Sequence, residues 1–378
     1  MRKFLICIFI LSTLCASIVG VGVAGASEAR GYKALYTVDA MSGYVIDGYE
    51  VDKRLPIASM VKIMTALVGF DAIESGKINL EQEVVISENS ASMGGSQMFL
   101  EAGDTYKIDD LMKGIIVVSA NDACVQLAEV LTGSEEKFVS LMNEKAEKLG
   151  LKDTKFVNCT GLPASGQYST AHDVSVMLRE LMRHKEYHKY SKIWIEDFNH
   201  PDGRITQFVN TNKLVRFYKD CTGGKTGYTS EAGFCLASCA KRGATHIISV
   251  IIGATDSKTR FSTVTKQFDS AFATYETRNV LKMDTIQQSI EVVGGKSNTL
   301  NVHPERPFFV FSKKGEQSDV EMSIELPDKI KAPIKKDDVV GTVTLHLKDK
   351  TFVVNLLAND TVEALSYWDI TEKVLENW

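Results

Sequence analysis

The chain predicts an α+β protein in two parts, a mixed α/β domain followed by a small all-β domain. Three observations carry this. At 378 residues it is too long for one typical core. Strand-like runs stand at both ends of residues 30–280 around a helical middle, the pattern of one mixed domain. After Lys282 helical periodicity stops and short alternating runs separated by turn clusters take over.

Residues 1–26 come first. Arg2 and Lys3 precede an uncharged run over residues 4–23, and Ala24-Gly25-Ala26 offers a small-residue cleavage site, so this segment reads as a secretory signal peptide. The run is near spanning length, which makes an uncleaved anchor the rival reading. Cys15 follows Leu14 where lipoprotein processing needs a small residue, and that route is rejected. Cleavage after Ala26 takes the formal charge from -5 to -7. Such a balance, with a pI near 5.9, argues against a nucleic-acid binder.

In the domain over residues 27–280, runs 34–38 and 44–51 read as strands joined by a turn at Met41-Ser42-Gly43. Val61, Met64, Leu67, Val68 and Ala72 are spaced as on a helix over residues 59–73. Helical stretches follow over 108–131, 135–149 and 170–184. Residues 225–228, 234–240 and 246–252 read as strands, the last nearly all apolar and therefore central; residues 257–275 read as a closing helix. The domain over residues 281–360 carries runs at 286–293, 308–311, 320–326, 339–347 and 351–357, a small antiparallel sandwich. Residues 361–378 are amphipathic if helical, with Tyr367, Trp368, Ile370, Val374, Leu375 and Trp378 on one side. Docking on the protein and peripheral membrane contact are both open for it; its acidic polar face disfavours anionic lipid.

Of seven cysteines, Cys7 and Cys15 lie in the signal segment. The remaining five are an odd count without close pairs, a poor disulfide framework. Cys221 and Cys239 are the pair that could face each other across a hairpin; otherwise these are small buried apolar residues.

Three strings carry chemistry: Ser59-Met60-Val61-Lys62, Ser119-Ala120-Asn121 and Lys225-Thr226-Gly227. Three positions apart on a helix, Lys62 can reach the Ser59 hydroxyl. Pro56 favours a helix beginning near Ser59, where free N–H groups favour an oxyanion. A serine needs an adjacent base, and lysine becomes one only if burial and a second cation, supplied by Lys225, lower its pKa. Ser119 can pass a proton between two amines, and the Asn121 amide can bond a substrate backbone. Gly227 leaves room for a peptide to pair with the strand, while Lys225 and Thr226 could bind a carboxylate. Each string alone has a plainer reading: an amphipathic helix, a connecting turn, a hairpin entry. Ser134-Lys137 and Ser238-Lys241 repeat the first spacing, at a solvated helix start and in a strand, and Ser87-Asn89 repeats the second. Jointly, in this order, the three supply different parts of one mechanism.

These motifs, with Leu55-Pro56-Ile57-Ala58, Asn121-Asp122-Ala123-Cys124, Gly161-Leu162-Pro163, Tyr168-Ser169-Thr170-Ala171 and Tyr228-Thr229, resemble the serine-type D-alanyl-D-alanine carboxypeptidases, the low-molecular-mass penicillin-binding proteins. The resemblance is strong over residues 30–280 and weaker in the tail. It implies a β-lactamase/transpeptidase-like catalytic domain, an antiparallel sheet flanked by helices, with a small all-β carboxy-terminal domain. It implies Ser59 as nucleophile, Lys62 as base, Ser119 as relay and Asn121 on the acyl side, with Lys225 assisting. Thr226 and Arg260 would recognise the terminal carboxylate, and the N–H groups of Ser59 and Tyr228 would form the oxyanion hole. The implied partners are a peptidoglycan stem peptide and β-lactams as covalent inhibitors; no metal or organic cofactor is implied. The implied location is extracytoplasmic, in the cell envelope. Two departures stand out: Cys159 where proline is expected, and Thr222-Gly223-Gly224 in place of an Asp-Gly-apolar lead into Lys225.

Rival readings are a transpeptidase and a catalytically silent wall scaffold. A class A β-lactamase would need a Glu-x-x-Leu-Asn element, and none lies between Asn121 and Lys225. His184 and His188 are four apart but lack the adjacent glutamate of a zinc protease, and read as surface histidines.

Overall fold

Strand Thr245–Ala254 is apolar on both faces, and the first region is arranged around it. Ile248, Val250 and Ile252 enter a core shared with the helices, whereas Ile247 and Ile251 enter a second core with Val264 and Phe268 of helix Ser257–Thr274. The strand is therefore the middle one of a five-stranded antiparallel sheet, in the order Val45–Tyr49, Ala34–Asp39, Thr245–Ala254, Gly233–Arg242, Cys221–Thr229. The computed structural model describes residues 30–371 apart from 285, 287, 317–319 and 370. The expected signal peptide and residues 372–378 lie outside the described residues.

Helix Lys62–Glu74 is buried along most of its length, with Ile63, Met64, Leu67 and Phe70 inside. The expected helical stretch over 108–131 is two helices, Ile108–Val117 and Asn121–Thr132, broken at Ser119, whose φ is 67°. A hairpin of Ile195–Asn199 and Ile205–Val209, absent from the sequence reading, follows helix Tyr187–Ser191 in the chain and precedes the sheet's edge strand.

Helix Ser257–Thr274 runs directly into strand Tyr275–Leu281, which pairs with Phe308–Lys313. The β-rich region adds a six-stranded sheet in the order Val320–Glu325, Val339–Leu347, Lys350–Ala358, Thr299–Pro304, Ser289–Val293, Lys329–Lys331. It is not wholly antiparallel as expected, because Ser289–Val293 and Lys329–Lys331 run parallel. The chain makes three other strands before it returns, which supplies the crossover a parallel pair requires. Strand Thr299–Pro304, with only Leu300 and Val302 as aliphatic signals, carries too little apolar alternation to read from sequence.

Residues 361–365 do not continue the expected terminal helix. Val362 is buried and bridges Ile334. A helix starts only after Ser366, whose N–H donates to the Asp369 carboxylate at 2.7 Å while Asp369 N–H donates to Ser366 Oγ at 3.2 Å. Tyr367 and Trp368 are exposed; Ile370, Val374, Leu375 and Trp378 lie outside the described residues. Among the described residues no helix is long and apolar enough to cross a membrane.

All five described cysteines are free and buried. That agrees with reading them as small buried apolar residues, and the one pairing considered, Cys221 with Cys239, fails for a geometric reason. A bulge after Cys221 sets Gly223 opposite Cys239 and Cys221 opposite Ala240, so the two thiols enter different cores.

Candidate active site

Ser59 lies in a one-turn 3-10 segment, Ala58–Val61, at the head of helix Lys62–Glu74. Ala58 has φ 48°, a left-handed conformation that costs an alanine about 1 kcal/mol or more. Two glycines press on this turn. A Cβ at Gly161 would fall 2.1 Å from Ala58 O, and one at Gly227 would fall 2.6 Å from Ile57 O. Both would also crowd Ser59 N, at 2.9 and 3.1 Å. Only glycine at 161 and 227 lets two remote segments close on the serine.

Lys62 Nζ lies 3.1 Å from Ser59 Oγ and donates to Thr160 O at 2.5 Å. Lys225 Nζ donates to Ser119 Oγ at 2.7 Å and to Thr226 O at 3.2 Å. Both lysines are buried. Burial pushes the Lys62 pKa below its ordinary value. Burial does the same to Lys225, and the nearby charge of Lys62 takes it well below. Asn121 begins its helix; its N–H donates to Ser96 O at 2.7 Å and its Nδ2 to Gly94 O at 2.6 Å. Asn121 Oδ1 is buried and has no hydrogen-bond partner, although a buried amide oxygen ordinarily has one.

Thr226 is buried in the edge strand, and Tyr228 is 57% exposed with its ring 4.4 Å from that of Phe234. Arg260, on helix Ser257–Thr274, reaches the same strand by donating to Gly227 O at 3.2 Å and Cys235 O at 3.1 Å. Burial lowers its pKa to about 10. The structure thus brings Ser59, Lys62, Ser119, Lys225 and Gly227 into direct or adjoining contact, and places Thr226, Tyr228 and Arg260 along or behind the strand that continues from them.

A family model described as D-alanyl-D-alanine carboxypeptidase matches residues 25–256, and one described as the penicillin-binding protein 5 C-terminal domain matches residues 275–364. The Bacillus subtilis D-alanyl-D-alanine carboxypeptidase DacF is 37% identical over 348 residues, 92% of this chain and 90% of its own. The chain belongs to the D-alanyl-D-alanine carboxypeptidase family. The Escherichia coli relative DacC is 32% identical over 363 residues, 92% of this chain and 89% of its own. The solved structure of penicillin binding protein 5 from Haemophilus influenzae superposes with a TM-score of 0.68 at 31% identity, over 88% of this chain and 98% of that one. The protein is a serine carboxypeptidase hydrolase with the penicillin-binding protein fold.

Two features of this carboxypeptidase escaped the sequence reading. Asp122 is a buried carboxylate that accepts N–H bonds from Met98, Leu100 and Ala123 at 2.9–3.1 Å, and burial raises its pKa. It ties the loop bearing Gly94 and Ser96 to Asn121. Its place next to Asn121 was visible, but the loop it holds lies more than twenty residues back and left no local signal. Thr160 supplies a carbonyl to Lys62 in the same way. Cys159, the residue found where proline was expected, is a buried thiol whose carbonyl accepts from Thr65 Oγ1 at 2.6 Å. Beside it, burial pushes the Cys124 thiol up to about 12, so both stay neutral near Lys62. The expected surface position of His184 is wrong: it is buried, stacked on Phe70 and within 2.8 Å of Glu74, while His188 bonds Met182 O.

Proposed function

We propose that this carboxypeptidase removes the terminal D-alanine from peptidoglycan stem pentapeptides through an acyl-enzyme on Ser59. The observation that carries the assignment is the pair of contacts between two buried lysines and two serines, Lys62 with Ser59 and Lys225 with Ser119. Ser59 Oγ attacks the carbonyl carbon of the last peptide bond while its proton passes to neutral Lys62. The N–H groups of Ser59 and Tyr228 take the negative charge that grows on the carbonyl oxygen. The C–N bond then breaks, and the proton reaches the leaving amine through Ser119. Water attacks the ester, returns the proton to Ser59 and releases the shortened peptide.

Asn121 Oδ1, unpartnered and buried, is suited to accept an N–H from the acyl part of the peptide. Burial favours the neutral form of Lys62, and Lys225, with Thr226 and Arg260, borders the place of the terminal carboxylate. A β-lactam presents a strained amide to the same serine and acylates it. The charged start and apolar run over residues 4–23 support export, placing the enzyme in the cell envelope where its substrate lies. The exposed Tyr367 and Trp368 support peripheral contact of the terminal segment with a membrane surface.

The test is release of D-alanine from diacetyl-Lys-D-Ala-D-Ala, with Ser59→Ala beside wild type. Wild type releases D-alanine, and the variant loses it by about 10⁴-fold or more. Release by both would remove Ser59 from the mechanism. No release by either would move the reading to a transpeptidase or a silent scaffold.

A further inference from the structure

The strand carrying Lys225 is an edge strand of the five-stranded sheet. One side of an edge strand is paired, and the other presents every second N–H and C=O to whatever lies there. Gly224 N–H, one residue before Lys225, faces that open side and donates to the Tyr187 hydroxyl at 3.0 Å. By the two-residue period, the N–H groups of Thr226 and Tyr228 face the same side. Tyr187 therefore holds the first position on the edge along which, under the proposed function, the peptide lies.

The two residues just before Lys225, Gly223 and Gly224, have no side chains with which to anchor themselves. Gly223 and Gly224 have φ of 141° and 136°, a region that L residues rarely adopt. A Cβ at Gly223 would fall 2.7 Å from Ser191 Cβ and 2.8 Å from the Tyr187 hydroxyl; one at Gly224 would fall 2.2 Å from Ala237 O. From helix Tyr187–Ser191, Ser191 Oγ donates to Thr222 O at 2.9 Å. On the other flank, Asn212 and Ser238 donate to Gly223 O at 3.2 and 2.9 Å. Tyr187 is fully buried, and with Lys62, Leu178, Gly224 and Lys225 it lines a cavity of about 10 Å³. The proposed chemistry makes no use of this buried phenol.

We propose that Tyr187 is a positioning residue, whose hydroxyl sets the place of Gly224 and thereby the reach of Lys225 to Ser119. This rests on the role given to Lys225. Without the hydroxyl, the Gly224 N–H is buried and unpaired, and it regains a partner only by moving. Lys225 is the next residue, and its 2.7 Å contact with Ser119 moves with it. A displacement of about 1 Å at a reacting group costs up to about 100-fold in rate.

The experiment is Tyr187→Phe in the full chain, with Tyr190→Phe and Lys225→Met alongside. Titration with fluorescent penicillin counts active sites, and the acylation rate is expressed per titrated site; kcat and KM are measured on diacetyl-Lys-D-Ala-D-Ala. Tyr187→Phe is expected to slow acylation per site about tenfold and to lower kcat, with KM within about twofold. Tyr190→Phe loses a 2.5 Å bond to Asp109 from the same helix and is expected to melt lower at an unchanged rate per site. A Tyr187→Phe rate per site within twofold of wild type overturns the proposal, whatever its melting temperature. A Lys225→Met rate equal to wild type overturns the role of Lys225, and the proposal with it. If Tyr187→Phe yields no titratable protein, Ser191→Ala takes its place: about threefold slowing per site supports the proposal, and an unchanged rate overturns it.

Discussion

Between residues 281 and 362 the core is built from residues such as Leu281, Ile290, Leu300, Val343 and Leu356, and the described residues there include no buried polar side chain. The region before it buries Lys62, Asn121, Asp122, Lys225 and Arg260 among its apolar residues. Backbone strain follows the same division. Of the described non-glycine residues with positive φ, the two that are buried are Ala58 and Ser119, one beside Ser59, the proposed nucleophile, and one the proposed relay. The remaining four, Glu50, Phe99, Asp337 and Lys348, are exposed. Asp39 and Asp173 are buried elsewhere in this region, but buried charge and buried strain, both of which cost stability, coincide around Ala58, Lys62, Ser119 and Lys225, and that coincidence marks where the fold serves chemistry. The β-rich region carries neither and behaves as an ordinary apolar core.

Variants can break that comparison. The largest expected effect is Lys62→Met, which should slow penicillin acylation by about 10³-fold while leaving the melting temperature equal to or above that of wild type, since a buried amine gives way to an apolar chain of similar length. A clear fall in melting temperature would mean that Lys62 also holds the fold. Leu356→Ala should do the reverse. Leu356 is fully buried, and its truncation should cost about 3 kcal/mol of stability while the acylation rate per titrated site stays at wild type. A changed rate per site would couple the two regions energetically.

The smallest effect sharpens the comparison within the catalytic region. Burial, with Lys241 as a lesser cause, pushes the His246 pKa down to about 4, against about 6.5 in an unfolded chain. The unfolded state therefore binds a proton that the folded state refuses, and stability falls as pH drops from about 6.5 to about 4. Denaturant titrations across that window should show a loss of about 2 kcal/mol, reduced in His246→Gln. An unchanged slope in the variant would assign the loss to other groups.

What the sequence determined by itself is what adjacency determines. Lys62 meets Ser59 because residues three apart share a helix face, and strand 245–254 is central because its apolar run leaves it no polar face. The family, the order of the two regions and the candidate residues were legible on those terms, with motif spacing separating them from Ser134-Lys137 and Ser238-Lys241. Ser134 caps a helix and Ser238 lies in a strand, as those contexts implied.

Tertiary structure decided everything that joins distant segments. The contact of Lys225 with Ser119 spans 106 positions and depends on where the sheet edge meets a break between two helices. The Cys221–Cys239 pairing looked feasible by residue count, and a one-residue bulge turned the thiols to opposite faces. The parallel pair in the β-rich sheet, the docking of Asp122 on a loop and the hold of Tyr187 on Gly224 have the same origin. A side chain's own neighbours set its helix or strand, but its partner across the molecule is set by register and packing, to which many residues contribute and which no short motif encodes.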